Sequence, residues 1–110
     1  MGGDLLMVTI MLVCNAGMST SMIVKKMQAA AKEKNIEADI FAVSAPEVDQ
    51  TLSNKNVDVI LFGPQVRFML SRFEKKLNEK NIPYDLIDTR DYGLMNGEKI
   101  LDQALGLANK

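Results

Sequence analysis

The part of this 110-residue chain equipped for covalent chemistry is one cysteine followed by small and hydroxylated residues, Cys14-Asn15-Ala16-Gly17-Met18-Ser19-Thr20-Ser21. Gly17 permits a backbone turn that a Cβ would hinder. The residues after it can then turn successive N–H groups inward, where the start of a helix adds partial positive charge. Hydroxyls of Ser19, Thr20 and Ser21 supply further donors, and such a nest suits a tetrahedral anion. The same field favours the thiolate, which is the nucleophilic form of cysteine. A nucleophilic sulfur at the rim of a phosphate nest is what a thiophosphoryl intermediate requires. A small buried cysteine closing a core strand is the competing reading. The hydroxyl-rich turn weighs against it.

What the chain lacks narrows the chemistry. It contains no histidine, so no Cys–His nucleophile pair forms within it and the usual zinc sets are missing. No metal and no cofactor are expected. One cysteine makes no internal disulfide, which fits a reducing cytoplasm. Thirteen Lys and Arg stand against fourteen Asp and Glu, a net charge of −1 that offers no basic field to a nucleic acid. Neither a Walker A pattern nor G-x-G-x-x-G is present to cradle a nucleotide. The apolar run from Leu5 to Val13 is too short for a bilayer and follows Asp4 rather than a basic stretch. Residues 1–4 read as a flexible leader and 5–110 as one domain.

The elements that must position the cysteine alternate between two periods. Leu5–Cys14 and Val57–Phe62 are nearly unbroken apolar runs, as expected of strands covered on both faces. Ile36–Val43 and Tyr84–Asp88 are more mixed and read as edge strands. Four helical segments carry 3.6-residue stripes, among them Ile23, Met27, Ala30 and Ala31, then Val66, Met69, Leu70, Phe73 and Leu77, then Ile100, Leu101, Ala104, Leu105 and Ala108. The short second helix opens on Ser44-Ala45-Pro46-Glu47, a capping-box pattern with proline in the first turn. Lys34-Asn35-Ile36, Lys55-Asn56-Val57 and Lys80-Asn81-Ile82 each precede a strand. In all three, asparagine is expected to take the left-handed turn that ends a helix. Strand–helix alternation with short joints predicts an α/β fold: a four-stranded parallel sheet, order 2-1-3-4, with helices on both faces. Ligands of such sheets bind beyond the carboxyl ends of the strands at the switch point between strands 1 and 3. Cys14 falls there.

Low-molecular-weight cysteine phosphatases use a related loop, C-x-x-x-x-x-R, whose arginine clamps the phosphoryl oxygens. Here the equivalent residue is Thr20, and no Arg or Lys occurs between Cys14 and Val24. A neutral loop can hold a phosphoryl group but gives little help to a hydrolytic transition state. That suits a carrier better than a phosphatase.

The run Ile10-Met11-Leu12-Val13-Cys14-Asn15-Ala16-Gly17-Met18-Ser19-Thr20-Ser21 resembles the IIB component of the lactose/cellobiose phosphotransferase family. Leu61-Phe62-Gly63-Pro64-Gln65-Val66-Arg67 and Ile87-Asp88-Thr89-Arg90-Asp91-Tyr92-Gly93-Leu94-Met95-Asn96-Gly97 extend the resemblance, which spans residues 5 to 108. It implies a flavodoxin-like fold, close to that of the low-molecular-weight phosphatases. It implies that a phosphohistidine on a IIA protein donates to Cys14, within a phosphoryl-binding loop of Asn15 to Ser21. Cys14 then passes the group to a β-disaccharide (lactose, cellobiose or diacetylchitobiose) at a membrane IIC permease. The protein would be cytoplasmic and peripherally associated with that permease. The absence of histidine agrees, because the donor imidazole must come from another chain.

Around the cysteine, Gly63-Pro64-Gln65 ends the other central strand, and Gln65 can bond a phosphoryl oxygen or a partner, or serve only as a loop and cap residue. Phe68 lies off the apolar stripe of its helix; with Met18 it makes a candidate docking patch. Asp91 and Tyr92 follow the fourth strand and can reach the same edge. Asp58, inside a buried-looking strand, reads as lying near a strand end or helix terminus rather than as catalytic. A phosphatase or arsenate reductase on the same architecture is the competing enzyme; Asp91 could serve it as general acid, but without an arginine clamp that assignment is weak. A receiver-like module would show acidic residues after the first strand, where this chain has Cys14-Asn15.

Overall fold

The computed structural model describes residues 7–15 and 18–108, with the side chains of residues 18 and 19 outside that description. Residues 1–6, including the leader and the start of the expected first strand, lie outside it too. The strands are β1 (Val8–Cys14), β2 (Ala38–Ser44), β3 (Val59–Phe62) and β4 (Tyr84–Leu86). All pair in parallel, in the order β2-β1-β3-β4. The 2-1-3-4 expectation holds, with the two apolar runs in the centre and the two mixed ones at the edges. Among the described residues five helices accompany them: α1 (Met18–Glu33), α2 (Val48–Asn54), α3 (Leu70–Glu79), α4 (Thr89–Gly93) and α5 (Gly97–Ala108). Short 3₁₀ segments, Ala45–Glu47 and Pro64–Met69, lead into α2 and α3.

Why two cores form follows from the strand period. Successive side chains of a strand point to opposite faces. Ile10 and Leu12 of β1, with Val59 and Leu61 of β3, meet the stripes of α1 and α5. Met11, Val13, Ile60 and Phe62 meet Val48, Leu52, Val66 and Leu77 on the other side. Each fully buried side chain of this size contributes about 1.5–3 kcal/mol relative to exposure. Phe62 also packs its ring 5.8 Å from that of Phe73.

Asp58 is a structural cap. Its carboxylate accepts the Thr9 N–H at 2.8 Å while its own N–H donates to the Thr9 carbonyl at 2.9 Å. This closed pair pins the register at the start of β1 and β3. The capping pattern before α2 is also present. Glu47 reaches back to accept from the Ser44 N–H and hydroxyl, each at 2.9 Å. The Ser44 N–H first, then its hydroxyl, hold the Glu47 carboxyl below its usual range. A depressed carboxyl stabilises the fold above its unfolded pKa, and that contribution is lost as pH falls through the folded value.

The three Lys-Asn joints are not alike. Asn35 and Asn81 take left-handed backbone, with φ of 57° and 58°, but Asn56 does not. Helix α2 ends at Asn54, and Lys55 is already extended at φ −146°. The cause is tertiary. Lys55 is drawn across to the edge strand, where its ammonium lies 2.8 Å from the Asp39 carboxylate and 4.4 Å from the centre of the Phe41 ring. Asn81→Val is therefore expected to cost about 1–2 kcal/mol, since a β-branched residue resists left-handed φ. Asn56→Val should stay within about 0.5 kcal/mol of the parent. Urea titration of the two variants compares them directly, and equal losses would remove the distinction.

Candidate functional site

Cys14 ends β1, the strand from which the chain goes first to one edge of the sheet and then back to the other. The side chain is 8% exposed, and its Sγ donates to the Val43 carbonyl of β2 at 3.7 Å. The sulfur thus sits against the neighbouring strand, at the carboxyl edge. Asn15 follows it and is exposed. Ala16 and Gly17 lie outside the described residues, as do the side chains of Met18 and Ser19, so the nest predicted for them stands as a sequence expectation. Helix α1 then starts at Met18, its N-terminus beside the end of β1. Ser21 is exposed, whereas Thr20 is 4% exposed and the one buried polar residue among those described.

On the far side of the crevice, Gly63 continues β3 by donating its N–H to the Val13 carbonyl at 2.8 Å. A Cβ there would stand 3.2 Å from Gln65 Oε1 and 3.4 Å from the Val13 carbonyl oxygen. Glycine is what lets the Gln65 side chain fold back over the strand ends. Gly63 is extended, as a residue before proline must be, and Pro64 opens the 3₁₀ segment. Gln65 then donates from Nε2 to the Tyr92 phenol oxygen at 3.0 Å. That same phenol lies 3.5 Å from Thr20 Oγ1. Tyr92 therefore joins the segments following β1, β3 and β4.

Its placement has local causes. Asp88 caps α4 by accepting from the N–H groups of Arg90 and Asp91, at 2.9 and 3.1 Å. Gln103 of α5 clamps the approach, accepting from the Asp88 N–H at 3.1 Å and donating to the Leu86 carbonyl at 2.7 Å. This one-turn helix makes five helices where the pattern predicted four. Five residues are too few to display a 3.6-residue stripe, but Asp88 two residues before Arg90 was a readable cap signal. Asp91 is half-buried, and its contacts given by the structure are backbone ones within this turn.

Phe68 is 75% exposed, as expected for a residue off the stripe. Three further exposed apolar residues were missed: Met7 just before β1, Met22 early in α1 and Leu94 at the end of α4, at 53%, 47% and 68%. Phe68, Met22 and Leu94 stand on segments that leave the carboxyl ends of strands, whereas Met7 precedes the amino end of β1. The signal that singled out Phe68, an apolar residue off the buried stripe just after a strand, would have found Met22 as well.

Residues 9–103 match the family model described as "PTS system, Lactose/Cellobiose specific IIB subunit". The chain is 45% identical over 103 residues to a galactose-specific EIIB component of Lactococcus lactis subsp. cremoris, covering 91% of this chain and 95% of that one. It is 44% identical to a cellobiose-specific EIIB component of Lactococcus lactis subsp. lactis with the same coverage. An oligo-beta-mannoside-specific EIIB component of Bacillus subtilis is 38% identical, over 89% of this chain and 93% of the other. Among solved structures, the cellobiose-specific IIB protein of Borrelia burgdorferi superposes with a TM-score of 0.76 at 44% identity, covering 93% and 92% of the two chains. The lactose-specific IIB domain of Streptococcus pneumoniae gives 0.80 at 13% identity, covering 92% and 97%, a likeness of fold alone.

Proposed function

Because the chain belongs to the lactose/cellobiose-specific IIB family of the phosphotransferase system, and is therefore a phosphotransferase, we propose that it carries the phosphoryl group on Cys14 between a IIA phosphohistidine and a β-linked sugar at a IIC permease. The observation that carries this reading is the place of the only thiol: at the end of the central strand, beside the switch point, with a helix N-terminus next in the chain. In the first half-reaction the sulfur–phosphorus bond forms as the nitrogen–phosphorus bond breaks. The electron pair returns to the donor imidazole, which takes up the thiol proton. In the second, a sugar hydroxyl displaces the sulfur and its proton returns there. The chain has no histidine to act in either step, which suits a relay between partners.

The loop from Asn15 to Ser21 would hold the phosphoryl oxygens. Met22, Phe68 and Leu94 would meet the partners, since donor and acceptor must approach along the line of the sulfur. A cytoplasmic position beside the permease follows from that exchange. Family relatives are named for galactose, cellobiose and oligo-beta-mannoside, and we assign a β-linked oligosaccharide as the acceptor class. The phosphatase reading loses support because its arginine position is Thr20, which is buried and uncharged.

Incubation with phosphorylated IIA followed by intact-mass and peptide mapping tests the proposal. One added phosphoryl group on Cys14, discharged when membranes containing IIC and sugar are supplied, is expected. Steady release of phosphate without transfer to sugar would favour the phosphatase instead. Phe68→Asp is expected to weaken docking, raising the KM for phosphorylated IIA roughly 5- to 50-fold, as loss of one exposed interface anchor does. An unchanged KM would remove Phe68 from the docking face.

A further inference from the structure

We infer that the free edge of β2 is a strand-pairing surface for a second copy of this chain, and that the Gln28 amide keeps it closed. The hydrogen bonds settle which groups point away from the sheet. The Val8 N–H donates to the Glu37 carbonyl at 3.0 Å, and Val8 is in register with Ala38. Odd-numbered residues of this strand therefore turn their backbone polar groups toward β1, and Ala38, Ile40, Ala42 and Ser44 turn theirs outward. Side chains of the same chain cap part of this edge. Gln28 of α1 donates from Nε2 to the Ile40 carbonyl at 3.1 Å, and Glu47 accepts from the Ser44 N–H at 2.9 Å. Among the described residues, no hydrogen bond reaches the outward groups of Ala38 and Ala42 or the Ile40 N–H.

An open edge of this kind is a template for another strand, and this one is complementary to itself. With Ile40 opposite Ile40 of an antiparallel second copy, Ala38 faces Ala42, and the capped N–H of Ser44 is not called upon. Asp39 then stands across from the second copy's Phe41. In each copy the Lys55 ammonium lies 4.4 Å from the centre of the Phe41 ring and 2.8 Å from the Asp39 carboxylate. Pairing in this register therefore brings Asp39 of each copy beside Lys55 of the other, opposite charges adjacent. The space along the edge is open. Grooves of about 350 and 300 Å³ lie between α1 and β2, and Gln28 lines both. Its amide occupies the carbonyl at the centre of the register, which the second copy needs. Antiparallel pairing sends the two carboxyl edges in opposite directions, so Cys14 of each copy stays open to its partners. The inference does not depend on the phosphoryl chemistry.

Gln28→Ala removes the amide from an exposed position of α1 and should leave the fold intact. Sedimentation velocity over a concentration series is expected to show the variant self-associating roughly 10- to 100-fold more tightly than the parent, since one competing bond is released in each copy. A variant no more associated than the parent would overturn the inference. Ala42→Pro in the Gln28→Ala background removes an outward N–H that only the second copy uses, and proline is tolerated on an edge strand. The double variant should return to the behaviour of the parent; one that still associates would place the contact elsewhere and overturn the edge. Should the proline variant fail to fold, a mixed sample of ¹³C-labelled and ¹⁵N-labelled Gln28→Ala protein decides instead. Cross-copy contacts between Ala38 and Ala42 would support the register, and contacts confined to other surfaces would overturn it. Gln28→Ala protein that stays monomeric while gaining affinity for IIA would give the edge to a different strand, and so overturn the second copy as its occupant.

Discussion

Cys14→Ser is expected to fold like the parent and to lose phosphoryl transfer by at least on the order of 10³-fold. The fold should survive because the exchange removes little. The side chain is already buried at the end of β1 and already donates to the Val43 carbonyl, a bond that a hydroxyl can also make. The cost is the smaller volume of oxygen, about 1 kcal/mol or less. The chemistry should not survive. A serine hydroxyl is a poor nucleophile unless a neighbouring base takes its proton, and this chain contains no histidine for that role. Intact-mass measurement after incubation with phosphorylated IIA should show no added group, and reconstituted sugar phosphorylation should fall to background. Full labelling of the serine variant would place the acceptor on another residue.

That expectation could be formed from local sequence, and it is instructive where local sequence stopped. Strand order was legible because burial on two faces leaves a nearly unbroken apolar run, so β1 and β3 announced themselves as central. Cys14 stood out as a candidate because a single cysteine, a glycine and clustered hydroxyls are contiguous in the chain. The Gln65–Tyr92–Thr20 connection was not. Its members lie 27 and 72 residues apart, and nothing in the spacing of a glutamine, a tyrosine and a threonine says that they meet. The sequence left Gln65 open between a phosphoryl oxygen, a partner and a capping role, and did not show that its Nε2 donates to Tyr92. The Lys55-Asn56 joint misled in the same way. Its residue types match those of the two flanking joints, and only the pull of Asp39 and Phe41 on Lys55 separates it from them. Local propensity yields to a contact made elsewhere.

Gly97 is another residue whose purpose emerges only in three dimensions, and Gly97→Val is expected to be the most disruptive single change to the fold considered for this chain. It begins α5 and lies directly against the middle of α1. A Cβ built there would stand 2.6 Å from the Lys26 carbonyl carbon, 2.6 Å from Lys26 Cβ and 2.7 Å from the Met27 nitrogen. Two of those three atoms are helix backbone, which cannot turn aside as a side-chain tip could. The helices must separate, and Ile23, Met27, Ile100 and Leu101, all fully buried in the shared core, would lose contact as they do. Overpacking of this kind costs about 1–3 kcal/mol for a single methyl and more for a branched side chain. With a domain of this size, that lowers the melting temperature by roughly 5–20 °C. The consequence reaches the site, because Gly97 follows the turn carrying Tyr92 and α1 carries Thr20. Separation of α5 from α1 should therefore lengthen the Tyr92–Thr20 contact and slow transfer even where the protein remains folded. Gly106 supplies the control within the same helix, since a Cβ there would meet no atom within 4 Å. Gly106→Ala should raise stability by about 0.5–1 kcal/mol through helix propensity alone. Calorimetry of the two variants should move their melting temperatures in opposite directions. A Gly97→Val protein as stable as its parent would mean that α1 and α5 do not meet backbone to backbone at this point.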